Sequence, residues 1–205
     1  MKLLYGSQNF GYNLADSDKD WLEFVYPTWE QIIKGDMISK ERRNEDGSIT
    51  KVKDIRLIAK MIKKANFNDL QFLFAAEIED CYPLRWFFAN RDKLIRYNMW
   101  QLYTSNAGYV KSQLKENTPK SIVRAYAFTF YLIVLLNDCE FELHNSYFSI
   151  LRRNTNEQNK EALKELVSKQ IEELEDEYSK YSGIKDEAIE KEMYKEIESL
   201  LRNNL

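Results

Sequence analysis

Two short strings near the start of the chain carry residues able to do phosphate chemistry. Gly6-Ser7 follows an apolar run at residues 2–5, and ten residues later comes Asp18-Lys19-Asp20. A Gly-Ser turn at a strand end lets backbone approach phosphate oxygens closely, and the serine hydroxyl can donate to them. Two aspartates at i and i+2 of a strand point to one face. Carboxylates placed that way can hold one or two Mg²⁺ ions, which would bridge a triphosphate and activate an attacking hydroxyl. An Asp-x-Asp pair alone is a common accident in a chain with 33 acidic residues. A glycine-serine turn after an N-terminal strand, followed by the pair leading into a second apolar run, is hard to explain as packing.

The elements that must position these groups follow from local pattern. Residues 2–5 and 19–26 read as strands, the second closed by Pro27. Thr28 caps a short helix, WEQIIKG, that stops at Gly35. Glu45-Asp46-Gly47-Ser48 is the one hairpin signal. Ile55, Ile58, Ala59 and Ile62 recur at helical spacing over 55–64, Asn66 to Asn68 break that helix, and 69–78 starts another. Beyond Pro83 the pattern is helical over 84–97, 104–116, 119–137, 145–153, 157–181 and 185–203, with Thr118 and Pro119 as cap and first residue of the third. The expectation is an α+β fold. Residues 1–80 form a small mixed sheet carrying the site, and 81–205 form a helical region that closes the cleft.

Composition removes several classes. With 6 glycines and 3 prolines in 205 residues, turn chemistry is too sparse for an all-β fold. The net charge of −3 argues against a generic nucleic-acid coat, yet charge is segregated. Residues 40–64 hold nine basic and four acidic side chains, whereas 157–198 hold fourteen acidic and seven basic ones. Cys81 and Cys139 are too far apart for a CxxC motif and read as buried free thiols of a reducing cytosol. His144 is the only histidine, excludes any mechanism needing two, and reads as a loop or surface imidazole. The run AYAFTFYLIVLL at 125–136 is too short to cross a bilayer and reads as a buried core helix. No secretory signal opens the chain, so the cytoplasm and no membrane partner are expected. Aromatics at Trp86, Phe87, Phe88, Tyr97, Trp100 and Tyr103 fit core packing better than base stacking.

Gly-Ser, ten residues and Asp-x-Asp resemble the polymerase-β-like nucleotidyltransferase superfamily. With Gly11-Tyr12 and Ser17-Asp18-Lys19-Asp20, the string is similar to a branch of predicted bacterial and phage nucleotidyltransferases, some associated with RNA repair. Asp54-Ile55-Arg56-Leu57, a helix, Asn66 and a second helix resemble that branch's Asp-Leu-Arg-Lys, helix, and Asn-Pro before a Glu-containing helix. YVKSQ at 109–113 and the helix through Arg124 resemble its C-terminal part. Lys19, Leu57, Phe67 and Gln71 depart from the pattern. A composition rich in Lys, Asn and Ile also suits an AT-rich source such as a phage.

The resemblance implies that Gly6 and Ser7 bind a nucleoside triphosphate and that Asp18 and Asp20 bind Mg²⁺ or Mn²⁺. It calls for a third carboxylate, for which Asp54 is the candidate, although Asp54 also stands where the cap of the 55–64 helix would be. Lys111, Gln113 and Arg124 sit on helices that could face the site, where a cation would neutralise charge on the β- and γ-phosphates. The implied activity is transfer of a nucleoside monophosphate from an NTP such as ATP to an acceptor hydroxyl. The acceptor is open among an RNA end, a protein side chain and a small molecule. The competing class is a nucleotide- or partner-binding module that keeps the fold without catalysis. Three carboxylates close in space favour the enzyme; a missing third acid or a blocked cleft favours the binder.

Overall fold

Leu22 and Phe24 alternate with more exposed neighbours as a half-buried strand requires, whereas Leu3, Leu4 and Tyr5 are buried in succession. The computed structural model, which describes every residue except 16, 80, 81, 138 and 205, pairs the two runs. Strand β1 (Lys2–Tyr5) runs antiparallel to β2 (Asp20–Val25), with Leu3 opposite Leu22 and Tyr5 opposite Asp20. Between them lies one turn of helix, α1 (Ser7–Phe10), where a polar turn was expected. The capped helix α2 (Trp29–Lys34) follows as predicted. Thr28 Oγ1 accepts from the Gln31 N–H at 3.3 Å and Gln31 Oε1 accepts from the Thr28 N–H at 2.8 Å.

The hairpin signal joins β3 (Ser39–Arg43) to β4 (Ile49–Asp54). Strand β4 pairs parallel with β2, and the sheet is completed by β5 (Ile78–Glu79) on β1. The order is β3-β4-β2-β1-β5, a mixed sheet as expected. Helix α3 (Leu57–Lys64) starts two residues later than its periodicity suggests. The helix expected over 69–78 is instead a short α4 (Phe67–Leu70), capped by Asn66, then a 3-10 turn (Gln71–Phe74), then β5.

The rest is helical. The expected 84–97 helix is broken at Asn90 into α5 (Arg85–Ala89) and α6 (Arg91–Arg96). Helices α7 (Met99–Glu116), α8 (Pro119–Leu136), α9 (Tyr147–Asn154), α10 (Lys160–Ser179) and α11 (Glu187–Arg202) follow. Helix α8 is apolar and long enough to cross a membrane by composition. Here it is the core helix: Ile122, Val123, Ala125, Phe128, Tyr131 and Leu132 are all inaccessible to solvent. Tyr178 of α10 donates to the Leu132 carbonyl at 2.7 Å and Tyr103 of α7 to the Ile171 carbonyl at 2.9 Å, which satisfies both phenols inside the bundle.

One hydrophobic cluster runs from Leu3 of the sheet to Leu200 of α11, so sheet and helices share a core. Two polar clamps fix one against the other. Asn106 of α7 accepts from the Phe67 N–H at 2.9 Å and donates to the Ala65 carbonyl at 2.9 Å, deep in the interior. Tyr131 donates to the Phe10 and Leu143 carbonyls, tying α1 to α8. Gly11, at φ +77°, lies so close to Asn145 that an added Cβ would sit 2.6 Å from its carbonyl oxygen.

The aromatic expectation holds. Phe87, Tyr97 and Tyr103 are buried, and Trp86, Phe88 and Trp100 pack against the same core. The cysteine expectation needs correction: Cys139 is exposed, beyond the end of α8, and Cys81 lies outside the described residues. His144 is exposed, with Nδ1 3.1 Å from the Gln8 carbonyl.

Candidate active site

The register of three strands decides which side chains meet. Tyr5 lies opposite Asp20, and Leu22 lies opposite Lys51 across the parallel pair. Side chains alternate along a strand. Tyr5, Asp20, Ile49 and Lys51 therefore share the face on which the helices pack. Where α7, α8 and α9 overhang the end of that face, a cleft of about 870 Å³ opens. Its wall contains Gly6, Ser7, Asp18, Asp20 and Arg124, five of the eight residues singled out in the sequence.

Gly6 is the hinge of this site. Its φ of +78° and ψ of −149° fall in a region that essentially only glycine occupies. A Cβ here would meet Asp20 Oδ2 at 3.2 Å. The Gly6 N–H donates to Gln71 Oε1 at 2.7 Å, and Gln71 Nε2 donates to the Asn68 carbonyl at 2.8 Å. Asn9, wholly buried, donates to the Gln71 carbonyl at 3.0 Å and accepts from the Ala76 N–H at 3.0 Å. The turn that presents Gly6 and Ser7 is thus held from behind by a buried amide network.

Asp20 opens β2, and its Oδ1 accepts from the Ile49 N–H at 3.0 Å, leaving Oδ2 directed at Gly6. Asp18 precedes the strand, is exposed, and makes no hydrogen bond or ion pair among the described residues. The pair spans a strand entry rather than lying wholly on a strand, yet both carboxylates reach the cleft. Lys19 between them turns away and bonds Glu77 at 2.8 and 2.9 Å, which is how an ammonium escapes the core face at this position.

Asp54 is elsewhere. Its parity along β4 matches Thr50 and Val52, not Ile49 and Lys51, so it points to the opposite face. Its buried carboxylate is consumed by one neighbour. Oδ1 accepts from the Arg56 N–H and Nε, both at 2.9 Å, and Oδ2 takes the Arg56 guanidinium at 2.6 Å. Asp54 is a structural clamp at the entry to α3, and it does not line the cleft. Lys111 is exposed on α7 and Gln113 is buried, and neither lines the cleft.

A cationic cluster in the cleft escaped sequence reasoning. Lys120 and Arg124 of α8 and Arg152 of α9 converge on the same wall. Desolvation, then repulsion by Arg124 and Arg152, lowers the Lys120 ammonium below the usual lysine range, and desolvation and Arg124 likewise lower Arg152. The Arg124 guanidinium lies 5.7 Å from the centre of the Tyr12 ring, and its Nε is buried without a hydrogen-bond partner among the described residues. Cations that repel one another, with no carboxylate paired to them among the described residues, are a surrounding in which an anion would be stabilised. Lys120 and Arg124 are neighbours at i,i+4 on one helix; only helix packing brings Arg152 to them, and nothing in the chain signals that meeting.

The donor set can be tested for a divalent ion. Among the described residues no three Asp, Glu, His or Cys side chains come together to hold a metal. Of the other cleft acids, Asp69 is taken up by Lys53 at 3.3 Å and Lys64 at 2.8 Å, and Glu41 lies 3.7 Å from Lys51. Asp18 and Asp20 are hard oxygen donors with open coordination. Mg²⁺ commonly takes one or two carboxylates and completes its shell with substrate phosphates and water. The pair fits an ion that arrives with a triphosphate.

Fold and site together define an α+β protein whose mixed sheet and helical region flank a cleft lined by both an acidic pair and a cationic cluster. Neither protein-family models nor curated proteins give a match to this chain.

Proposed function

We propose that the protein is a Mg²⁺-dependent nucleotidyltransferase that moves a nucleoside monophosphate from an NTP to an acceptor hydroxyl and releases pyrophosphate. The observation that carries this reading is the presence, in the lining of one cleft, of Asp18 and Asp20, of Lys120, Arg124 and Arg152, and of Gly6-Ser7. The cleft volume of about 870 Å³ suits a nucleotide with a second substrate beside it.

The residues divide the work by charge. Backbone at Gly6 and the Ser7 hydroxyl contact the polyphosphate, and Gln71 keeps that turn from collapsing. Lys120, Arg124 and Arg152 neutralise the β- and γ-phosphates, where charge builds as pyrophosphate departs. Asp18 and Asp20 hold the divalent ion, which when bound offsets charge at the α-phosphate and favours ionisation of the attacking hydroxyl. The acceptor oxygen forms a bond to the α-phosphorus while the bond from that phosphorus to the α–β bridging oxygen breaks. The hydroxyl proton leaves to water. Positioning and charge neutralisation supply most of the acceleration in such transfers.

One observation favours the second reading, a nucleotide-binding module without catalysis. Asp54, the expected third acid, is engaged by Arg56 on the other face of the sheet. Its weight is limited by the open cleft, by the free Asp18 carboxylate and by Asp20 Oδ2, which the Ile49 N–H bond to Oδ1 leaves available.

The test is incubation with each NTP radiolabelled at the α-phosphate, with Mg²⁺, and with or without total RNA and cell lysate. The Asp18→Asn variant runs in parallel. Transfer by the wild type alone supports the enzyme and identifies the acceptor class. Saturable NTP binding without transfer, lost in the variant, supports the binding module.

A further inference from the structure

A second depression adjoins the cleft, and the two share Lys64 and Asp69 in their walls. Its floor is apolar, made by Met37, Leu57 and Met61. Its rim is basic, made by Lys53 and Lys60 together with Lys64. Asp69 pairs with Lys53 and Lys64, so one carboxylate answers two ammonium groups. Lys60 is exposed and makes no ion pair among the described residues. The groove is therefore net cationic in a chain of net charge −3. The parity of Lys51 and Lys53 along β4 keeps both lysines on the helix-packed face, so the cationic track leads toward the acidic pair.

We propose that this groove receives the acceptor and that the acceptor is a single-stranded nucleic acid presenting its terminal hydroxyl to the cleft. The proposal rests on the nucleotidyltransferase reading of the cleft. Its grounds are continuity and complementarity. A strand needs an electropositive track for its phosphates and a floor on which unpaired bases can lie. The groove is lined by lysines and apolar side chains, and it shares Lys64 and Asp69 with the cleft whose lining includes the cationic cluster. A basic path to the cleft gives a neutral small-molecule acceptor no advantage. A folded protein acceptor would gain nothing from an apolar floor flanked by ammonium groups. In the transfer, the strand's terminal hydroxyl oxygen bonds to the α-phosphorus, pyrophosphate leaves with the bridging oxygen, and the proton passes to water.

The experiment measures fluorescence anisotropy of a labelled oligouridylate and of a matched oligothymidylate, with the full chain, Lys60→Glu and Met37→Glu. Binding of an NTP analogue is measured on the same three proteins. The expected result is strand binding that each substitution weakens about tenfold, a change of roughly 1.4 kcal/mol, with NTP affinity unchanged. The slope of log affinity against log salt should become shallower by about 0.7 for each strand phosphate that no longer meets a lysine. The stronger of the two oligonucleotides distinguishes RNA from DNA. Strand binding indifferent to both substitutions, or no strand binding by a wild type that binds NTP, overturns the proposal. So does label transfer from NTP to lysate protein that Lys60→Glu leaves undiminished. Strand binding abolished in the variants, with no NTP binding by the wild type, keeps the groove as a nucleic-acid surface and sinks the reading of the cleft instead.

Discussion

Gln71 accepts the backbone hydrogen bond of Gly6 at 2.7 Å, across 65 positions of sequence. Gln71 stands where the resembled branch has glutamate, and the structure gives this departure a role: a neutral amide supports the turn that would meet a polyphosphate. Gln71→Leu removes the partner of the half-buried Gly6 N–H and of the Asn68 carbonyl, a loss of about 0.5–1.5 kcal/mol for each hydrogen bond. Gln71→Glu keeps the acceptor for Gly6 but adds a negative charge beside the phosphates. The expected outcome is a lowered melting temperature for both, because Glu at this buried position also loses the donor to the Asn68 carbonyl, with weaker NTP binding for Gln71→Glu. Equal NTP affinity in Gln71→Glu and wild type would contradict the account.

Asp54 and Asp18 separate structure from chemistry. Asp54→Asn breaks a buried ion pair with Arg56, a loss of about 3–5 kcal/mol when one partner of such a pair is removed. It should lower the midpoint of urea unfolding while transfer per folded molecule persists. Asp18→Asn, at an exposed position, should leave the midpoint in place and abolish Mg²⁺-dependent transfer. The opposite pattern would restore Asp54 as a metal ligand.

How much of this was legible in the sequence depends on the range of the interaction. The strand at 2–5, the capped helix after Thr28 and the Pro119 helix were readable because each is decided within a few residues. Gly6, Ser7, Asp18 and Asp20 were readable because one short motif holds them. The fate of Asp54 was legible only in part: the resemblance suggested a ligand and its position a helix cap, and it does accept from the Arg56 N–H at the helix entry, but only its parity in β4 reveals the opposite face. The break at Asn90 and the 3-10 turn at Gln71–Phe74 are set by packing rather than periodicity. Lys120, Arg124 and Arg152 meet only because α9 folds back on α8.

Gly6 and Gly11 lie in conformations that a side chain resists for different reasons. Gly6→Ala suffers a backbone strain of about 1–3 kcal/mol and a 3.2 Å approach to Asp20 Oδ2, so it should displace that carboxylate and weaken metal-dependent NTP binding. Gly11→Ala would drive a methyl to 2.6 Å from the Asn145 carbonyl, and backbone cannot swing aside as a side chain does. Thermal unfolding should show the larger loss for Gly11→Ala. The larger loss of NTP affinity should belong to Gly6→Ala.

Lys120 makes the cleft pH-sensitive with a definite sign. Its ammonium is lowered in the folded protein, first by desolvation and then by Arg124 and Arg152. Between that lowered value and the ordinary lysine value the unfolded chain binds more protons, so this group makes folding more favourable as pH rises through the window. Bound polyphosphate supplies counter-charge and raises Lys120 again, so binding takes up protons. Pyrophosphate affinity should therefore fall as pH rises through the lowered value, and Lys120→Arg should flatten the fall. Calorimetric titrations at increasing alkaline pH test this; an identical slope in Lys120→Arg would exclude Lys120 as the source.

The central claim is that one cleft holds a triphosphate between an acidic pair and a cationic cluster. Its most direct test is equilibrium titration of a non-hydrolysable NTP analogue into wild type, Asp18→Asn and Arg124→Gln, each with and without Mg²⁺. The account predicts saturable binding strengthened by Mg²⁺ in the wild type. Asp18→Asn should keep the metal-independent binding and lose the metal's contribution, whereas Arg124→Gln should lose about tenfold, or roughly 1.4 kcal/mol, with or without the ion. Unchanged affinity in both variants would contradict it.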